Sequence, residues 1–207
     1  MASAAVALLL LTGCASSGND TLAVNAVSPV AAPPSEAAIP ASVAPASPKA
    51  TTASDVMPAS VPVSIEFPSW RKQAKLISLG LRSDGTLEVP PGEPGAPAAW
   101  FNGSPTPGER GPSVVYGHVN ATDGGSGVFA NLRNLKKGDL VRIIRQDGSA
   151  AVFAFDRGEQ YAKAAFPTEK VYGNTVGAEL RLITCDGYDP KTGEFDDNYV
   201  VYAKLVT

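Results

Sequence analysis

Two side chains in this sequence are suited to nucleophilic acyl chemistry, Cys185 and His118. His118 is the only histidine, and Cys185 is one of two cysteines in 207 residues. A thiol attacks an acyl carbon as its thiolate. An imidazole, titrating near neutral pH, is the side chain best fitted to take and return the proton. Cys185 closes the apolar run Leu182-Ile183-Thr184-Cys185, and the polar stretch Asp186-Gly187-Tyr188-Asp189-Pro190 follows at once. His118 closes Val114-Val115-Tyr116-Gly117-His118, ahead of the glycine-rich Asp123-Gly124-Gly125-Ser126-Gly127. Each is therefore expected at a strand end beside a loop, where catalytic groups concentrate. The bland alternatives are a buried small hydrophobe for Cys185 and a packing or surface imidazole for His118.

The other cysteine, Cys14, has a different context. Met1 to Leu11 is almost wholly small or apolar, and it ends in Leu11-Thr12-Gly13-Cys14. That stretch is too short to span a bilayer, which needs about 20 apolar residues. It reads as an export signal, and the tetrapeptide resembles the lipobox of bacterial lipoproteins, in which the cysteine is lipidated and becomes the new N-terminus. No Lys or Arg precedes Cys14, although a signal ordinarily opens with positive charge. The plain alternative is a signal peptide with an incidental cysteine. With Cys14 lipidated or removed, Cys185 has no partner for a disulfide. A lone thiol in an exported protein is then either buried or reactive.

These residues need elements to position them. From Ala15 to about Ser60 the chain is Ala, Pro, Ser, Thr and Val with few charges, interrupted by Pro33-Pro34, Pro40, Pro45, Pro48 and Pro58. Such a composition cannot bury enough apolar surface to offset its ordering entropy, so it is expected to be a disordered tether. From residue 61 to 207 the pattern is that of one all-β domain. Strands are expected over 61–67, 75–79, 87–89, 113–116, 140–144, 151–155, 180–184 and 199–203. Ser83-Asp84-Gly85 reads as a turn, Gln146-Asp147-Gly148 as a hairpin, and Pro90 to Trp100 as loop. Short helices fit only Phe129 to Leu135 and the stretch near Thr168. Many short strands with Gly and Pro turns predict a β-barrel.

The net charge of −3, with no basic run, implies no general affinity for nucleic acid or anionic membrane. No cofactor is implied, and no cluster of carboxylates, His and Cys has metal-ligand spacing.

Taken together, the motifs resemble the sortase family of cysteine transpeptidases. Leu182-Ile183-Thr184-Cys185 is similar to the end of the TLxTC signature, with Arg181 in place of the first threonine. Tyr116-Gly117-His118 and Gly127-Val128-Phe129-Ala130-Asn131-Leu132 resemble the histidine segment and the element after it. Leu135 to Val141 resembles the strand approach that follows. Ile65-Glu66-Phe67-Pro68, Leu79-Gly80-Leu81 to Val89-Pro90, Phe166-Pro167-Thr168, Val171-Tyr172-Gly173 and Asp197 to Ala203 are similar to the class F subgroup.

The resemblance implies an eight-stranded barrel and a Cys-His-Arg trio, of which Cys185 and His118 carry over. The family arginine lies in the final strand, where this chain has Asp196, Asp197 and Asn198. Arg181 lies four residues before Cys185, about 13 Å along a strand at ~3.3 Å per residue. Thr184, Asn198 and Arg181 are thus the candidates for oxyanion or substrate contacts. The implied reaction is cleavage of an LPxTG-like sorting peptide and transfer of its acyl group to a cell-wall precursor amine through a thioacyl-enzyme. The expected setting is a monomer on the outer face of the cytoplasmic membrane of a Gram-positive-type cell, held by a lipid on Cys14. A catalytically weakened peptide-binding barrel and a surface cysteine hydrolase are the alternatives.

Overall fold

A computed structural model describes residues 56–206. The expectations for Cys14, and for the tether as far as residue 55, lie outside those residues. Eight strands form a closed barrel: β1 Pro62–Phe67, β2 Lys72–Leu79, β3 Ala98–Phe101, β4 Gly111–Tyr116, β5 Leu140–Arg145, β6 Ala150–Ala162, β7 Ala178–Asp189 and β8 Glu194–Leu205. Their order around the barrel is β1-β2-β3-β4-β7-β8-β6-β5, and β1 pairs with β5 to close it. The pairs β2·β3 and β4·β7 are parallel, and all other neighbours are antiparallel. The one α-helix among the described residues is α1, Thr168–Tyr172, and single 3-10 turns cover Pro68–Trp70, Leu132–Asn134 and Lys163–Ala165.

Alternation along the strands sorts the apolar side chains into two layers. Ile65, Phe67, Val141, Ile143, Phe153, Leu180, Leu182 and Val201 fill the barrel. Val114, Tyr116, Ile183, Val200 and Tyr202 pack on the outside, where Val171 of α1 covers them. This is why Tyr199 to Ala203 is buried on both faces. The helix is tied down by Lys170, whose Nζ lies 2.6 Å from Glu159 Oε2. Glu159 also accepts from the Tyr161 hydroxyl at 2.6 Å.

Several expectations need correction. Leu87-Glu88-Val89 is not a strand. It makes only the bridge Leu81↔Leu87, because the Glu88 carboxylate turns back to accept the Gly80 N–H at 2.7 Å. The stretch expected to be loop up to Trp100 instead ends in β3, whose short Ala-Ala-Trp-Phe run is recruited by parallel pairing with β2. Cys185 is inside β7 and not at its end. The ladder with β8 continues to Asp189↔Glu194, helped by the cross-strand aromatic pair Tyr188–Phe195 at 5.2 Å. The expected helix at 129–135 is one 3-10 turn.

Met57 to Ser60, on the tether side of the expected domain start, are held against the barrel. The Met57 N–H donates to Gly108 O (2.8 Å), the Ser60 N–H to Thr106 Oγ1 (3.0 Å), and Arg145 Nη2 to Pro58 O.

Candidate active site

β4 and β7 run side by side, and Tyr116 pairs with Ile183. Beyond that pair the two chains part. Gly117 and His118 leave β4, while Thr184 and Cys185 continue β7. This is what brings the only histidine to the only cysteine of the described domain.

The His118 backbone is fixed on both sides. Its carbonyl accepts the Phe129 N–H at 2.9 Å. Gly127 packs so tightly on that carbonyl that a Cβ there would overlap it, and a Cβ on Gly117 would overlap Val128. Both positions therefore need glycine for close approach. The imidazole Nε2 lies 2.9 Å from Pro90 O. That contact orients the ring and leaves Nδ1 for other work.

Cys185, His118 and Asn198 line one cavity of about 280 Å³, together with Leu87, Val89, Pro90, Tyr116, Phe166, Tyr172 and Ile183. The walls are largely apolar. The thiol and the imidazole are both half-buried, and no hydrogen bond joins them. The Tyr116 hydroxyl donates to Glu88 O at 2.9 Å. Burial, and then the Glu88 carboxylate, push its pKa up to about 12, so it remains a neutral donor across the working pH range. Phe166 and Tyr172 pack with their rings tilted at 53° and centroids 6.2 Å apart, and Tyr161 continues the row edge-on at 5.9 Å from Phe166.

The remaining candidates divide. Asn198 is the cross-strand partner of Cys185, and its side chain makes no hydrogen bond among the described residues. Directly opposed residues have Cβ atoms about 5 Å apart, so the amide is within reach of chemistry at the thiol. Thr184 is buried, and its hydroxyl donates to Gly117 O at 2.8 Å. Arg181 lies outside the cavity. It is buried against the Tyr202 ring (4.5 Å) and paired with Glu179 at 2.8 Å.

The sequence reading missed Arg133. Its guanidinium pairs with Asp186, stacks on Tyr199 at 4.5 Å, and faces a small recess that Thr184 and Cys185 also line. It missed the Pro90 carbonyl as well. Neither has a local signal, because both contacts come from distant parts of the chain.

The sortase domain family matches residues 65–206, which is most of the chain. The chain belongs to the sortase family.

Sortase A from Corynebacterium diphtheriae has a similar fold, with a TM-score of 0.54 at 20% identity over 71% of this chain and 61% of that one. Sortase C from Clostridium perfringens SM101 gives 0.52 at 16% identity, covering 73% of each chain. Sortase C-1 from Actinomyces oris gives 0.52 at 21%, covering 70% of this chain and 75% of that one. None of the curated proteins matches the chain at a significant level. Among the described residues, no cluster of three or more His, Cys, Asp and Glu could hold a metal ion, and no helix is long and apolar enough to cross a membrane.

Proposed function

We propose that this sortase-family protein is a cysteine transpeptidase that cleaves an LPxTG-like sorting peptide and passes its acyl group to a cell-wall amine. The observation that carries the reading is the shared cavity. A thiol, an imidazole and an unpaired amide face an apolar recess large enough for a few side chains of an extended peptide.

In the first half-reaction the Cys185 thiolate attacks the scissile carbonyl carbon. An S–C bond forms, and the π pair moves to oxygen. Collapse of that oxyanion breaks the C–N bond, and His118 protonates the departing amine. In the second half, an acceptor amine attacks the thioester and gives its proton to His118, and the Cys185 thiolate leaves. Asn198 offers a neutral N–H toward the developing oxyanion, at the cross-strand position where the resemblance leads one to expect the family arginine.

The motif pattern favours a class F-type member. The leader and Cys14 support a lipid-anchored domain acting as a monomer, on a tether that runs from residue 15 to about residue 56, where Met57 begins the contacts with the barrel, outside the cytoplasmic membrane of a Gram-positive-type cell. One observation favours a second reading, a peptide-binding barrel with weakened catalysis: no arginine lines the cavity.

Incubating the 207-residue chain with a quenched LPxTG-type peptide, with and without a primary amine, separates the readings. A transpeptidase gives the amide product with amine and slow release of acid without it. A hydrolase gives acid in both, and a binding module gives neither.

A further inference from the structure

We propose that the backbone N–H of Cys185 is a second oxyanion donor, and that Thr184 is the positioning residue that holds it open. The proposal rests on the transpeptidase reading and adds a group to it.

The parallel β4·β7 ladder sets the direction of the backbone groups at the nucleophile. The Gly117 N–H donates to Ile183 O at 3.1 Å, so Ile183 turns its backbone polar groups toward β4. Backbone direction repeats every two residues along a strand, so Cys185 turns its N–H the same way. Continuing the ladder by one step would put that N–H on the Gly117 carbonyl. Among the described residues no such bond forms. The Gly117 carbonyl accepts the Thr184 hydroxyl instead, at 2.8 Å. Thr184 thus ends the ladder one residue before the nucleophile and leaves an unpaired N–H at Cys185, on the side of the thiol where His118 stands.

A backbone donor without a protein partner is uncommon in a half-buried residue such as Cys185, and a nucleophile is where one is useful. When Sγ bonds to the scissile carbon, the oxygen gains the π pair. The Cys185 N–H then donates to that oxygen from the β4 side, with the Asn198 amide on the β8 side. No proton is transferred, and the interaction strengthens only as the oxyanion forms.

The test uses the full chain with Thr184→Val and Thr184→Ser. Valine keeps the branched shape and deletes the hydroxyl. It frees the Gly117 carbonyl to accept the Cys185 N–H, because a carbonyl there seeks a donor. Single-turnover thioester formation with the LPxTG-type peptide is expected to slow about a hundredfold in Thr184→Val, with KM and iodoacetamide alkylation of Cys185 within about threefold of wild type. Thr184→Ser keeps the hydroxyl and is expected to retain the wild-type rate within about threefold.

Amide hydrogen exchange at Cys185 gives a readout independent of activity. It is expected to be fast in wild type and about tenfold slower in Thr184→Val. A protected Cys185 amide in wild type overturns the proposal even if the enzyme is active. So does a Thr184→Ser variant as slow as Thr184→Val, which would assign the effect to packing. If the wild-type amide is open but no thioester forms, the transpeptidase reading has failed, and the donor role with it.

Discussion

Asn198→Ala is the substitution that most sharply separates chemistry from scaffold. The side chain stands directly opposite Cys185 on β8, lines the cavity, is half-buried and makes no hydrogen bond. Its removal therefore strands no protein partner, and the stability change should stay within about 0.5 kcal/mol. For a domain of this size that corresponds to less than about 2 °C in Tm. The catalytic effect is of a different order. Deleting one donor aimed at an oxyanion costs about 2.7–4 kcal/mol, a factor of about 100–1,000 in kcat. The cavity opens to water, which places Asn198 at the low end, about a hundredfold. KM should barely move, because the interaction forms with the oxyanion and not with the ground-state carbonyl. The assay is steady-state cleavage of a quenched LPxTG-type peptide in the presence of an amine, with a thermal melt on the same samples. Asn198→Arg, which brings a guanidinium to the same position, should exceed the wild-type kcat. If kcat in Asn198→Ala lies within about threefold of wild type, Asn198 is not an oxyanion donor and the reasoning from register is refuted.

Other expectations follow from the same geometry. Arg181→Ala should lower stability by about 2 kcal/mol in urea denaturation, because it breaks a buried pair with Glu179 and uncovers Tyr202, while kcat changes less than about tenfold. Glu159→Gln should report a pH-dependent clamp on α1. Lys170 first, and then the Tyr161 hydroxyl, hold the Glu159 carboxyl at about 2, below its ordinary value of 4.5. Its contribution is complete above pH 4.5 and is lost as pH falls toward about 2. The variant should therefore be less stable at pH 7, by about 1 kcal/mol or less for this partly exposed network, and equal to wild type near pH 2. Cys14→Ser should abolish labelling of the chain by a fatty-acid analogue in cells, and an unlabelled wild-type chain would rule out the anchor.

The sequence was most informative where local pattern and tertiary need agree. The β-branched runs at 113–116, 140–144, 180–184 and 199–203 became strands because alternation gives them an inward and an outward layer to fill. Elements decided by distant partners were not legible. β3 has only Ala-Ala-Trp-Phe, and it is a strand because β2 and β4 flank it. The polar stretch from Asp186 reads as a loop that ends the strand at Cys185, yet β7 runs on to Asp189 and the chain reverses later. There Asp189 O accepts the Gly193 N–H at 2.8 Å, and Gly193 takes a φ of 75°. At the site, Cys185 and His118 could be named from residue type and strand context. Asn198 could be named only by its place in a family pattern. The Pro90 carbonyl on His118 and the Thr184 hydroxyl on Gly117 are long-range contacts that no local spacing encodes.

On the proposed mechanism, Cys185 forms a thioacyl intermediate with His118 as its proton partner. The most direct measurement is intact-mass spectrometry of the full chain, quenched in acid during turnover of an LPxTG-type peptide, with the adduct mapped by digestion. An acyl mass on Cys185 is expected in the wild type. The adduct should be absent in Cys185→Ala and build up much more slowly in His118→Ala, while that variant's thiol still alkylates. A wild-type chain that forms no adduct with any peptide of a broad library, and whose Cys185 alkylates as slowly as a buried thiol, would contradict it.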